Sequence, residues 1–471
     1  MKNKNQVLNA GIWYIIGNML LKGIFFLTLP IFTRILRTED YGYYNTYMAY
    51  ELIITGIIGL GLYGSVKNAK IDFEKSFNSY VSSILFLGLM VFCTVIIVAN
   101  GTFRLYAGIF GFDQFVLNIL IAHAFGSFVM QICNAKFNME FKYKSFILIA
   151  GLSILSNIIF SILLIFFVFQ NQRYMGRIIG YAMPSIVIGI ILLTITFIKG
   201  KGLFNKVYWK YGLLIGLPLV PHILSQTILS QFDRIMIRNM VGVSESGIYS
   251  FVYTMSTILY IIHISIEAAW TPWLFYRMRV GEREVVREKS KHYITAFAML
   301  TVGFMCVFPE IIKIMAAQDY WTGMGLTIPL TLCIYCIFLY TLPVNIEYFH
   351  KKTFFISIGT VGATIINIVL NYFCIKMFSY EVVAYTTLLS YIFLFLFHYS
   401  IAKRWGFQEY YSIKHIILVS LIVFTIAGLL ICVKGNILAR YAIVFLVLVG
   451  CILKRKIFID IFKEVKKEKN S

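Results

Sequence analysis

Charge is the first thing missing. Only 13% of the 471 residues are charged and 21 are acidic, against roughly 25% charged in an ordinary soluble domain. That deficit excludes a water-soluble enzyme of one to three domains. Motifs for covalent or nucleotide chemistry are absent too: there is no GxxxxGK followed by Ser or Thr, no HExxH and no GxSxG. The seven histidines are scattered, which argues against a metal centre, and no cofactor motif occurs. The lone CxxC, Cys333 and Cys336, has no second pair and no neighbouring His. Like the other cysteines within apolar runs, it is read as packing.

What fills the space is apolar: 59% of the chain is hydrophobic and 17% aromatic. Runs of spanning length occur at 11–35, 43–66, 79–100, 114–135, 145–169, 176–198, 211–240, 246–272, 292–316, 322–347, 354–377, 380–402, 412–433 and 438–459. Fourteen spans of about 20 residues use roughly 280 residues, which leaves no room for a folded extramembrane domain. The basic residues before the first run resemble a signal peptide. Lys22 interrupts that run, however, and no A-x-A site follows, so it reads as an uncleaved first helix.

The formal charge of +21 follows from the positive-inside bias rather than from nucleic-acid binding. With the N-terminus inside, thirty of the 42 Lys and Arg fall in alternate connectors and the tails, and nine in the opposite connectors, Arg177, Arg238 and Arg440 among them. The bias keeps phase through every span. It predicts an all-α polytopic protein of fourteen spans with both termini cytoplasmic.

Two segments repeat. TRILRTEDYGYY (Thr33 to Tyr44) follows the first span and IRNMVGVSESGIYS (Ile237 to Ser250) the seventh, each with an Arg, an acidic turn, a Gly and an aromatic start to the next span. Spans 1 and 7 thus open two six-helix halves of like orientation, which implies a pseudo-two-fold axis along the membrane normal and a substrate site between the halves. The expected division is 1–205 for spans 1–6, 206–405 for spans 7–12, and 406–471 for spans 13–14 with a basic tail held on anionic lipid.

The segment PIFTRILRTEDYGYYNTY, Pro30 to Tyr47, resembles the opening signature of bacterial polysaccharide-repeat-unit flippases, the Wzx-type O-antigen and capsule flippases. Their superfamily also holds the MATE drug exporters and the lipid II flippase. The resemblance implies a two-lobed MATE-like transporter in the bacterial cytoplasmic membrane, functional as a monomer. It would pass an undecaprenyl-diphosphate-linked glycan from the inner to the outer leaflet, with the polysaccharide polymerase machinery as a possible partner.

Ionisable residues inside spans normally face a cavity or a partner. Lys22 in span 1 and Glu51 in span 2 fall at matching depths, within about 2 Å, and either pair within the lobe or line a cavity. Span 7 carries His222, Gln226, Ser230, Arg234 and Arg238 at i+4 intervals with Asp233 alongside, in a helix that Pro218 and Pro221 should kink. Arg234 suits a phosphate or pairs with Asp233, while Arg238 is expected to snorkel to the interface. Span 8 places Tyr249, Tyr253, Ser256, Tyr260, His263, Glu267 and Trp270 on one face by 3-4 spacing, either a sugar-contacting surface or a packing seam. His123, Ser127 and Gln131 of span 4 read as interhelical hydrogen bonding. Glu347 and His350 are expected at the inner interface, and Pro30 and Pro184 at bends.

The expectation is a flippase working by alternating access. Lys22 and Arg234 would hold phosphates and the span 8 face would hold sugars. With no ATP motif, drive falls to H⁺ or Na⁺ coupling, the membrane potential or removal of product. A cation exporter is the alternative transporter, disfavoured by Lys22 in span 1. A membrane-embedded polymerase or ligase is the alternative from another class, and it lacks the sizeable outer loop such enzymes carry.

Overall fold

The computed structural model describes residues 17, 23–24, 26–433 and 436–453. In chain order the helices are α1 (Phe26–Ile35), α2 (Thr38–Gly59), α3 (Ser65–Asp72), α4 (Phe77–Gly101), α5 (Phe103–Phe110), α6 (Gln114–Met139), α7 (Tyr143–Phe167), α8 (Arg173–Gly200) and α9 (Lys206–Gly216). They continue as α10 (Val220–Met240), α11 (Val243–Val280), α12 (Arg283–Met315), α13 (Thr327–Phe349), α14 (Thr353–Met377), α15 (Val382–Ala402), α16 (Phe407–Tyr410), α17 (Ile413–Cys432) and α18 (Ile437–Leu453). Among the described residues there is no strand.

Among the described residues eleven helices are long and apolar enough to cross a membrane, or twelve when the pair Thr38–Gly59 and Leu62–Asp72, bent by 60°, counts as one span. These correspond one for one to spans 2 to 13 of the sequence. The first span and the last lie partly outside the described residues, so the described helices do not reach the expected fourteen. The bend in span 2 comes from two successive left-handed residues, Leu60 at φ 45° and Gly61 at φ 66°. Span 7 is interrupted where its prolines predict: the short 3₁₀ turn Leu217–Leu219 separates α9 from α10. Pro184 is accommodated inside α8.

Polar caps set several helix starts. Asp40 accepts hydrogen bonds from its own turn, Arg37 N at 3.2 Å, and from Tyr174 N at 3.1 Å, so one carboxylate serves the first turns of α2 and α8. Asp113 caps α6 through Val116 N at 2.8 Å.

The chain divides into two compact units, Met1–Gly247 and Ile248–Ser471. Within the first unit α10 packs along α2, with Gly56 against Leu224, and α9 packs on the turn after α2, with Gly61 against Gly216. In the first unit α2, α4, α6 and α8 enclose Tyr47, Tyr80, Ile84 and Phe128. α7 keeps only 11% of its apolar window buried and turns Leu148, Leu152, Leu155 and Ile159 outward, as a lipid-facing helix does. In the second unit the segment Gln318–Phe349 is central, with 78% of its window buried. α12, α15 and α17 pack on it, and α18 on α12.

Candidate functional site

In the first unit span 2 carries an enclosed polar face. Tyr47, Glu51 and Thr55 follow one another by turns of α2. Glu51 is 3% exposed and accepts a hydrogen bond from Thr55 Oγ1 at 3.0 Å. Tyr47 OH lies 3.1 Å from His123 Nδ1, and the two rings stack. His123 is thus held by an interhelical contact, as read from span 4. Lys22 lies outside the described residues, and so does its meeting with Glu51.

Sequence reasoning missed a buried cation beside α2. Arg177, counted among the outer connectors, is 6% exposed because α8 begins at Arg173 and carries it into the first unit. It donates to Ser161 Oγ at 2.9 Å and Tyr44 OH at 3.3 Å. Its guanidinium sits 3.7 Å from the centre of the Phe32 ring, 4.6 Å from that of Tyr44 and 5.5 Å from that of Tyr181. Among the described residues no carboxylate comes within salt-bridge distance of it. The signal available was the aromatic set, since a desolvated Arg prefers ring faces.

Arg238 also departs from expectation. It does not snorkel: it is buried, donates to the carbonyls of Phe110 and Gly111 at the end of α5, and stacks 4.2 Å over Phe112. Asp233 and Arg234 are buried on α10, Arg234 within electrostatic reach of Tyr41, while His222, Gln226 and Ser230 are half-buried.

The two repeat segments meet each other within the first unit. Thr38 Oγ1 and Ser244 Oγ are 2.7 Å apart. A Cβ on Gly42 would fall 2.0 Å from the Val243 carbonyl oxygen, and one on Gly247 1.9 Å from that of Thr38. Each glycine is therefore required by the other copy's backbone, a link the repeat suggested by position but not by contact.

In the second unit the α11 stripe is partly sunk. Tyr249, Ser256, His263 and Trp270 are buried, Tyr253 and Glu267 half-buried and Tyr260 exposed. His263 is lodged between the rings of Phe297 and Phe338. Its Nε2 is 3.4 Å from Glu267 Oε2, without the alignment of a hydrogen bond. Trp270 stacks on Tyr293 and donates to Tyr411 OH at 3.2 Å. The lower half of the stripe thus packs as a seam, while Tyr260 and Glu267 keep accessible edges.

Glu347 stands near the inner end of α13, as expected, but is enclosed by protein. It is 0% exposed and lies 2.9 Å from Nδ1 of His398, also 0% exposed, whereas His350 is exposed as expected. Arg440, another outer-connector residue in the sequence, reaches Glu310 with both terminal nitrogens, at 3.0 and 2.6 Å.

A model of the family described as polysaccharide biosynthesis protein matches residues 7–278, more than half of the chain. The chain belongs to the polysaccharide biosynthesis protein family. Protein 1 of the Lsg locus of Haemophilus influenzae is similar to this family member, 23% identical over 383 residues that cover 77% of this chain and 89% of that protein. Among solved structures, the inward closed conformation of the lipid II flippase MurJ matches with a TM-score of 0.69 at 17% identity, covering 95% of this chain and 100% of MurJ. An inward-facing multidrug resistance MATE family transporter matches with a TM-score of 0.63 at 15% identity, covering 81% and 94%. This family member is therefore an all-helical, multi-pass membrane protein with the MurJ and MATE fold.

Proposed function

We propose that this protein translocates undecaprenyl-diphosphate-linked oligosaccharide repeat units from the inner to the outer leaflet of the cytoplasmic membrane by alternating access. It is a transporter, not an enzyme, and it serves surface polysaccharide synthesis. The supporting observation is joint: a chain of the polysaccharide biosynthesis family carries, over 95% of its length, the fold of a protein named as a lipid II flippase. Lys22 and Arg234 are assigned to the diphosphate and the open edges of the α11 stripe, Tyr253, Tyr260 and Glu267, to sugar hydroxyls. Drive comes from H⁺, Na⁺ or the membrane potential. Both termini are cytoplasmic, the monomer is the working unit, and the polymerase machinery is the partner downstream.

The MATE match and the buried carboxylate of Glu51 favour a second reading, an ion-coupled exporter of drugs. Deleting the gene in the source bacterium separates the two. Lipid-linked repeat units accumulating in the inner leaflet support the flippase. Drug sensitivity with a normal surface glycan supports the exporter, and fully flipped but unpolymerised units would point to a polymerase.

A further inference from the structure

Glu347 on α13 and His398 on α15 form an acid–base pair sealed from solvent, joined through Oε1 and Nδ1 at 2.9 Å. Their remaining polar atoms, Glu347 Oε2 and His398 Nε2, have no hydrogen-bond partner. On the Nε2 side stands the α14 backbone, so close that a methyl on Gly359 would come within 2.6 Å of it. Among the described residues no Lys or Arg lies within salt-bridge distance of Glu347. Charge accounting then decides the composition of the pair. A carboxylate beside a neutral imidazole leaves one uncompensated negative charge in a low-dielectric bundle, a costly arrangement. One added proton, held as imidazolium with carboxylate or as imidazole with carboxylic acid, makes the pair neutral.

Position supplies the second half of the argument. Glu347 is two residues from the end of α13 and His398 four from the end of α15, beside connectors that the charge bias places in the cytoplasm. Pro343, one turn before Glu347, lies inside α13 and cannot donate to the carbonyl of Leu339. The last turn of α13 therefore lacks one backbone hydrogen bond, the usual place for a helix to bend.

The titratable surroundings are few. Tyr340 stacks 6.3 Å from the His398 ring, and Tyr348 lies within electrostatic reach of Glu347 and Glu267. α15 itself carries Tyr391 and Tyr399, and α14 brings no titratable group between Thr353 and Asn371. Lys352, Lys403 and Arg404 stand in the turns just beyond. α12 and α17, also packed on α13, carry Tyr293, Lys414 and His415 toward their inner ends, with His415 placed 3.0 Å from Thr295.

We propose that Glu347 and His398 are a proton-binding site, loaded while the inner ends of α13, α14 and α15 are packed and exchanged with the cytoplasm when α13 bends at Pro343. The site rests on the transporter reading for its use in coupling, but not for its chemistry.

The test is a proton count. Full-length protein in vesicles of phosphatidylethanolamine and phosphatidylglycerol is stepped from about pH 6 to about pH 8. A pH dye reads the protons released per protein from wild type, E347Q, H398Q and the double variant. The expected result is one proton fewer from E347Q, which removes the negative charge that the added proton offsets, and no further loss in the double variant. Equal release from wild type and E347Q, or a larger loss from the double variant than from E347Q, would overturn the site. The exchange variant E347H/H398E guards against misfolding, since it keeps both groups and should restore the full count; folded protein with the lower count also counts against the proposal. Cells carrying E347Q should accumulate lipid-linked repeat units as the deletion strain does. A deletion strain with no such accumulation sinks the flippase reading while leaving the proton count standing, and a normal count in E347Q sinks the proton site alone.

Discussion

Arg177 is held by rings and hydroxyls instead of a carboxylate, and its loss would be felt in more than one way. Removing the guanidinium leaves the Ser161 and Tyr44 hydroxyls and three ring faces without their common partner. R177A should lower stability by about 2–4 kcal/mol, from a desolvated cation–π contact and two charge-assisted hydrogen bonds, read as an earlier thermal transition of the purified protein. R177K keeps the charge but not the planar fork, so it should recover only part of that loss. Arg238 makes a separate prediction. R238A strands the carbonyls of Phe110 and Gly111 at a cost of about 2–3 kcal/mol, and amide exchange across residues 109–112 should quicken. Neither role was legible in the sequence. Arg177 is the second residue of the run 176–198, and an Arg at the edge of a run counts as readily with the connector as with the helix. Arg238 sat at a helix end where snorkelling is the usual fate of an arginine.

Helices were legible where hydrophobicity alone decides them and illegible where backbone conformation does. The break before α10 was written in Pro218 and Pro221. The 60° bend after α2 was not, because it hinges on Leu60 in a left-handed conformation that no sequence rule assigns to leucine. Likewise the α11 stripe was visible as a 3-4 spacing, but which of its residues the neighbouring Phe297, Phe338 and Tyr293 would cover was not. Glu347 and His398, 51 positions apart, share no pattern that could have joined them. The contact between the starts of α2 and α11 gives a sharp contrast of substitutions. G42A must push a methyl into the Val243 carbonyl, which belongs to backbone and cannot turn aside. It should destabilise by several kcal/mol, more than about 3. S244A removes only one hydroxyl bridge to Thr38, a loss of about 1 kcal/mol. Thermal unfolding of the two variants side by side checks the order.

For the whole molecule, the placement of Lys and Arg commits each connector to one side. In a background with the native cysteines replaced, E284C should react with an impermeant maleimide only from the cytoplasmic side and Q170C only from the outside. Labelling of both from one side would mean that a span has been miscounted. The family and the fold were foreshadowed by the segment from Pro30 to Tyr47 and by the order of spans. α9 and α10 belong to the second half by sequence order, yet α10 packs along α2 and α9 on the turn that follows it.

That crossing has a consequence for how the chain tolerates change. Where Thr38 and Gly42 meet Ser244 and Gly247, each turn is the mould of the other, and both moulding surfaces are main chain. A bulkier residue in one turn finds nothing in its counterpart that a second replacement could trim away. The pair is therefore frozen together: a substitution that adds a side chain to either glycine should be tolerated far less than one elsewhere in α2 or α11.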